Sequence, residues 1–174
     1  IWVYDLAALT LGKVSSRGVN QTPAWAPDGR HVAFSSSAGF ADAKLHWTDV
    51  ETDAQPEPLT REGSVQFPGS WTPDGLTLGY VEILGSPAGT EFGWDIWLLR
   101  RGATTARSPL VRTKANEDQP MFSPDGRTLA YVSDEGGQRQ VYVRPFPEPG
   151  KRTQISAAGG TEPVWSRRGD ELFF

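Results

Sequence analysis

The sequence predicts an all-β protein, a β-propeller with four blade-equivalents of four antiparallel strands each. Three observations lead to this class. A turn motif recurs at nearly regular spacing, short strands of alternating polar and apolar residues follow each copy, and no segment carries a sustained helical stripe. Four short strands repeating every 40–50 residues or so are typical of a propeller blade.

The turn motif defines the repeat. It reads WAPDG at 25–29, WTPDG at 71–75 and FSPDG at 122–126, and a degenerate copy reads WSRRG at 165–169. Proline sets φ at the first central position, aspartate accepts a local backbone hydrogen bond, and glycine tolerates positive φ. Asp28, Asp74 and Asp125 are therefore predicted to be turn residues, since equivalent turns of separate blades cannot converge on one metal ion. Arg167 and Arg168 replace Pro and Asp in the last copy, which predicts a weaker turn there.

The remaining strands follow the turns in a fixed order. Second strands are predicted at 31–34, 77–80, 128–131 and 171–174, third strands at 1–5, 45–49, 96–100 and 141–145, and fourth strands at 12–15, 57–60, 110–113 and 153–156. The whole chain, 1–174, is then one propeller domain with blades at about 18–60, 61–113 and 114–156. The closing blade is predicted to be shared between the N- and C-terminal strands, 157–174 plus 1–17. Two alternatives stay open: part of a larger propeller, or half of a two-chain ring, for which the partner is a homodimer mate.

Composition narrows the functional classes. The net charge of −4 argues against nucleic acid as a partner, and the absence of a long apolar run argues against membrane insertion. The chain has no cysteine, so disulfides and thiolate metal sites are excluded. His31 and His46 lie in different blades and give no zinc constellation. No metal and no cofactor are expected.

The turn and the strand after it follow the pattern W/F-[ATS]-P-D-G-[RL]-x-[VL]-[AG]-[FY]. This pattern resembles the TolB-like, WD-repeat-like β-propeller repeat. The segment 118–174 is similar to propellers attached to bacterial serine/threonine protein kinases and related extracytoplasmic proteins. The resemblance implies a non-catalytic binding or scaffolding propeller in the periplasm or another extracytoplasmic space, with a protein or peptide partner. The alternative is a substrate-gating accessory propeller of a larger enzyme, such as a prolyl-oligopeptidase-type peptidase. The chain has no G-x-G-x-x-G, H-R-D or G-x-S-x-G motif, so it is not expected to be an enzyme itself.

The candidate ligand-binding site is the channel mouth, where the first strand of each blade begins. First strands line the central channel of a propeller, so polar groups at their beginnings surround a concave opening. These residues are Gln21, Thr22, Gln66, Asp118, Gln119 and Glu162. Such a ring would suit a small polar ligand, a cation or a peptide end. The competing interpretation is that these groups only solvate the channel or bond the backbone at the blade entry. The insertion 85–94, with Phe92 and Trp94, is a second candidate for recognition because it extends beyond the repeat.

Overall fold

The computed structural model describes residues 1–15, 18–39, 42–52, 54–85, 92–102 and 106–174, and these contain strands but no helix. The first two strands are β1 (Trp2–Asp5) and β2 (Thr10–Lys13). The first blade contains β3 (Val19–Trp25), β4 (His31–Ser37), β5 (Lys44–Asp49) and β6 (Glu57–Pro58). The second contains β7 (Val65–Trp71), β8 (Thr77–Gly85), β9 (Phe92–Arg100) and β10 (Ala106–Val111). The third contains β11 (Glu117–Phe122), β12 (Thr128–Ser133), β13 (Gln140–Pro145) and β14 (Thr153–Gln154), and β15 (Val164–Trp165) and β16 (Leu172–Phe173) follow.

The strands form a row of propeller blades. Each of the three complete blades is a four-stranded antiparallel sheet in which strands pair in sequence order. The first strands of successive blades lie side by side, because β3 contacts β7, β7 contacts β11, and β11 contacts β15. With the terminal pairs β1–β2 and β15–β16, the chain has four blade-equivalents, which confirms the predicted class.

The predicted sharing of a closing blade is wrong. β1–β2 and β15–β16 form two separate two-stranded sheets, and β16 does not pair with β1. The β15–β16 pair contacts β11 of the third blade. The faces that a neighbour would cover are correspondingly exposed: Trp2 keeps 59% of its surface and Phe173 keeps 58%.

The core lies between the blades. Second strands are buried along most of their length, as in β12, where five of six residues are buried, because neighbouring strands and adjacent blades cover them. One cluster joins the first and second blades around Leu45, Leu78 and Tyr80. A second cluster, around Ile96 and Leu129, joins the second and third blades. Burying a large apolar side chain stabilises a fold by roughly 1.5–3 kcal/mol, so these interfaces hold the row together.

The recurring turn serves contacts within and between blades. Asp28, Asp74 and Asp125 each accept a hydrogen bond from the backbone N–H two residues later, at 2.9, 2.9 and 3.0 Å, which confirms the predicted turn role. Gly126 has φ +69°, and a Cβ there would lie 3.1 Å from Cδ of Pro73 in the preceding blade. The proline of one turn thus fits against the glycine of the next, which explains why both recur.

Two other features of the turns depend on local bonds. Burial acts to raise the pKa of Asp28, but hydrogen bonds from His31 and from the Arg30 N–H outweigh it and lower that pKa to about 2. The degenerate copy keeps the turn despite its two arginines, since the Gly169 N–H donates to the Ser166 carbonyl at 3.0 Å.

The hairpin of β8 and β9 is longer than its counterparts. Both strands have nine residues, and the Trp94 N–H donates to Asn116 Oδ1 at 3.3 Å. Most of the candidate insertion, 86–91, lies outside the described residues. Within the described ranges, no helix is long and apolar enough to cross a membrane.

Candidate functional site: the channel mouth

Two of the first strands are irregular next to the predicted channel-mouth residues. The ladder of β3 shifts register between Gln21 and Ala24, and that of β11 shifts between Asp118 and Met121. A bulge of this kind leaves a residue unpaired, bends the strand and re-aims the side chains around it. The bulges therefore take Thr22 and Gln119 out of the regular ladders, while Gln21 and Asp118 stay paired with Ser35 and Val132.

Three of the predicted residues adopt a left-handed backbone conformation. Thr22, Gln119 and Glu162 have φ of 52°, 53° and 56°, and each immediately precedes a proline. A non-glycine residue pays roughly 1–2 kcal/mol for this conformation. The same strained geometry thus recurs at equivalent positions of the first blade, the third blade and the C-terminal pair.

The three left-handed residues present polar groups to solvent. Thr22 and Glu162 are exposed, and Gln119, like Gln21 of the first blade, is partly buried. The Glu162 N–H donates to Gln119 Oε1 at 2.7 Å, which connects the C-terminal pair to the third blade. The Thr22 hydroxyl donates only to the adjacent Gln21 carbonyl, at 2.8 Å.

Gln66 does not face the channel. Its side chain is fully buried. Its amide donates to the Glu62 carbonyl at 2.9 Å, and its Oε1 accepts a hydrogen bond from the Thr60 hydroxyl. Gln66 therefore holds the joint between the first and second blades, as the competing interpretation expects.

Asp118 is also engaged inside the fold. It is 6% exposed, and Arg139 Nη2 lies 2.8 and 2.6 Å from its two carboxylate oxygens. Burial raises the pKa of Asp118, and the Arg139 guanidinium opposes that rise. Of the six predicted residues, Gln21, Thr22, Gln119 and Glu162 are exposed or partly buried, whereas Gln66 and Asp118 are buried.

The buried ion pair of Glu82 and Arg107 was not among the predicted site residues. Glu82 is 1% exposed, accepts a hydrogen bond from the Ser64 N–H at 2.8 Å and pairs with Arg107. Arg107 Nε also donates to the Tyr80 hydroxyl at 2.8 Å. The signal in the sequence is a single glutamate within the apolar run 78–84. These groups fix the blade entries that carry the mouth.

The exposed and partly buried candidate residues offer a hydroxyl, amides and a carboxylate. These groups suit hydrogen bonding to a polar partner. No group of three His, Cys, Asp or Glu side chains that could hold a metal ion occurs in the part of the chain that the structure describes.

Comparison with known proteins identifies relatives of this repeat. No protein-family model matches the chain. A Protein TolB homolog of Chlorobium luteolum is 29% identical over 130 residues, covering 74% of this chain and 27% of that protein. The Uncharacterized peptidase YuxL of Bacillus subtilis is 31% identical over 105 residues, covering 59% of this chain and 16% of that protein. The chain thus spans only about a quarter or less of these curated relatives.

A solved structure has the same architecture. The putative TolB from Agrobacterium tumefaciens superposes with a TM-score of 0.82 at 22% identity, covering 98% of this chain and 60% of that one. At this identity the likeness establishes the fold. It confirms the TolB-like part of the resemblance that the turn motif indicated, and the chain has the fold of TolB-like β-propellers.

Proposed function

We propose that this chain is a non-catalytic binding or scaffolding propeller that holds a protein or peptide partner at its channel mouth. The observation that carries the proposal is the repeated left-handed conformation of Thr22, Gln119 and Glu162. Strained residues persist when the surrounding structure determines them, and they cluster where ligands are held. Three such residues at equivalent positions of one opening support a surface arranged for recognition.

The partner is expected to be a polar peptide segment. Thr22 supplies a hydroxyl, Glu162 a carboxylate, and Gln119 an amide whose oxygen already holds the Glu162 N–H. A peptide offers N–H groups to the carboxylate and carbonyls to the amide nitrogen. We also propose a periplasmic or extracytoplasmic location, which the likeness to TolB homologs supports.

Affinity capture with matched variants tests this proposal. The full chain is immobilised as wild type, as Thr22→Gly/Gln119→Ser/Glu162→Gln, and as the control Glu148→Gln on the opposite face. We expect at least one protein to be retained by wild type and control and lost with the mouth variant. Equal retention by all three proteins would contradict the proposal.

An accessory role in a larger enzyme is the second candidate. It is favoured by the match to YuxL, named a peptidase, of which this chain covers 16%. Under this hypothesis the propeller gates substrate for a hydrolase on the same polypeptide. A related hypothesis is that the propeller is attached to a kinase domain instead. Immunoblotting of the natural polypeptide, followed by peptide sequencing of any extension, distinguishes the hydrolase-linked form from the kinase-linked form. A polypeptide of 19.0 kDa with no extension would refute both.

The unpaired terminal sheets favour a two-chain ring as a further possible assembly. The pair β15–β16 supplies first and second strands, and β1–β2 supplies third and fourth strands, so a second copy complements both ends. Sedimentation of the chain should then give twice 19.0 kDa, and a single-chain mass would refute this assembly.

A further inference from the structure

Glu117 is a buried acid at the joint between the second and third blades. It is the first residue of β11, which packs against β8 and β9 of the second blade, and it is 0% exposed. A buried carboxylate is costly when it is charged, so its proton contributes to the stability of the structure around it. We propose that Glu117 makes this joint proton-sensitive: the joint is firm when Glu117 carries a proton and weaker when Glu117 is ionised.

Thr113 supplies the hydrogen bonds that the Glu117 carboxyl group accepts within the described residues. The Thr113 hydroxyl donates to Oε1, and the Thr113 N–H donates to Oε2 at 3.3 Å. Thr113 lies in the segment between β10 and β11, so these bonds tie the last strand of the second blade to the first strand of the third. Both donors are neutral groups, and neither supplies a positive charge.

The two charges that act on Glu117 belong to acids, and each of these acids has an arginine partner. Asp95 of β9 and Glu135 of the hairpin between β12 and β13 both disfavour the ionised form of Glu117. Arg112 Nε lies 3.3 Å from Asp95, and Arg152 Nη2 lies 2.5 Å from Glu135. Each arginine therefore compensates its own acid.

The other charged groups on neighbouring elements are engaged elsewhere or exposed. They are the pairs Glu82–Arg107 and Asp118–Arg139, Asp134 bonded to Asn116, and the exposed Lys114. No arginine, lysine or histidine of the described ranges makes an ion pair with Glu117. Glu117 thus differs from the buried Glu82, Asp95 and Asp118, which are all paired.

The second blade has a neutral amide at the equivalent position. Gln66 pairs with Glu82 across β7 and β8, and Glu117 pairs with Ser133 across β11 and β12. Both pairs lie at the same place relative to the aromatic residue that opens the turn of their blade. Position by position, the repeat therefore replaces glutamine by glutamate.

The equivalent side chains also make the same hydrogen bond. Gln66 Oε1 accepts from the Thr60 hydroxyl, as Glu117 Oε1 accepts from the Thr113 hydroxyl. The Gln66 amide nitrogen additionally donates to the Glu62 carbonyl at 2.9 Å. The first joint is thus held by an uncharged group at every pH, whereas the second is held by a group that titrates.

The direction of the pH dependence follows from this environment. Burial raises the pKa of Glu117, the bonds from Thr113 oppose that rise, and the charges of Asp95 and Glu135 add to it. The folded pKa lies above the ordinary value of 4.5 that applies to the unfolded chain. The stabilising contribution of the proton is therefore fully present below about pH 4.5 and is lost as pH rises through the folded pKa.

Carboxyl-carbon NMR of the full chain, labelled with ¹³Cδ-glutamate, follows the ionisation of Glu117 directly. Glu117→Gln removes one signal and so assigns it. We expect Glu117 to titrate at higher pH in the folded chain than in the chain unfolded by urea. Titration at the same or a lower pH in the folded chain would overturn the inference.

Urea unfolding of wild type and Glu117→Gln between pH 4.5 and pH 8 measures the effect on stability. The variant gives the third blade the residue type of the second, so it should be the more stable protein at neutral pH. The unfolding equilibrium constant of wild type relative to the variant should rise by up to tenfold per pH unit above about pH 4.5 and then level off. Glu148→Gln, at an exposed residue of the loop between β13 and β14, should follow wild type.

Hydrogen exchange locates the effect at the joint. The protection factor of the Thr113 N–H should fall with rising pH in wild type relative to that of the Gln66 N–H, which donates to the Ala43 carbonyl at 2.9 Å in the first joint. The fall should be absent from Glu117→Gln. An equal change at both amides would refute a local joint.

Two stability results would also overturn the inference. They are a difference between wild type and Glu117→Gln that does not change with pH, and a variant that is less stable than wild type at neutral pH. None of these measurements involves a partner at the channel mouth, so this inference and the proposed function fail separately.

Discussion

Replacing the left-handed residues of the channel mouth by glycine and by alanine tests whether the mouth is strained. Thr22 and Glu162 are suitable sites because both are exposed, and their side chains make no hydrogen bond to another blade within the described residues. Gln119 is unsuitable, since its side chain holds the Glu162 N–H. Thr153, an exposed residue of β14 without positive φ, is the control.

The expected differences in unfolding free energy follow from two opposing effects of glycine, relief of backbone strain and greater freedom of the unfolded chain. Glycine relieves roughly 1–2 kcal/mol of left-handed strain that alanine retains. Glycine also loses about 0.4–1 kcal/mol relative to alanine through the greater freedom of the unfolded chain. At Thr22 and Glu162 the glycine variant should therefore be more stable than the alanine variant by about 1 kcal/mol. At Thr153 the order should reverse, because glycine in a strand costs roughly 0.5–1 kcal/mol.

Urea denaturation followed by tryptophan fluorescence measures these differences. The difference in unfolding free energy between two variants is the shift of their urea midpoints multiplied by a common m-value, so that small differences remain resolved. If alanine matches or exceeds glycine at both Thr22 and Glu162, the strain is absent and the main support for the mouth as a recognition surface is lost.

Three further predictions follow from the turns and the buried charges. Gly126→Ala should destabilise the fold by about 1–2 kcal/mol in urea, whereas Gly136→Ala, which meets open space, should not. The folded pKa of Asp28, about 2, lies below its unfolded value, so its contribution is present above about pH 4 and lost as pH falls toward 2. Asp28→Asn should flatten the fall in unfolding free energy over that range, and an equally steep fall would contradict this assignment. Arg107→Ala should lower the unfolding free energy by about 3 kcal/mol, since it leaves the buried Glu82 carboxylate unpaired, and Glu82→Gln should restore part of the loss in the double variant.

The turn motif carried most of the fold prediction. Pro, Asp and Gly have local conformational roles, so WAPDG, WTPDG and FSPDG identify the blades without knowledge of tertiary contacts. The strand boundaries are less well determined by local sequence. The fourth strand predicted at 110–113 is β10, Ala106–Val111, because its extent depends on pairing with the long β9.

Ring closure could not be predicted from the strand order. The terminal strands have the types that one blade requires, but closure depends on the angle between blades, which interblade packing sets. The surroundings of the candidate site residues could be predicted only in part for a similar reason. Thr22, Gln119 and Glu162 are recognisable as polar residues before a proline. The burial of Gln66 and Asp118 depends on partners such as Thr60 and Arg139, which the fold brings from neighbouring segments.

Site-specific photo-crosslinking tests the central claim most directly. A photoreactive phenylalanine analogue is placed at Glu162 in the channel mouth and, as the control, at Glu148, an exposed residue of the loop between β13 and β14. The chain is irradiated in cells that produce it naturally. The account predicts a discrete crosslinked species from position 162 that is absent from position 148. The same species from both positions, or none from position 162, would contradict a binding site at the channel mouth.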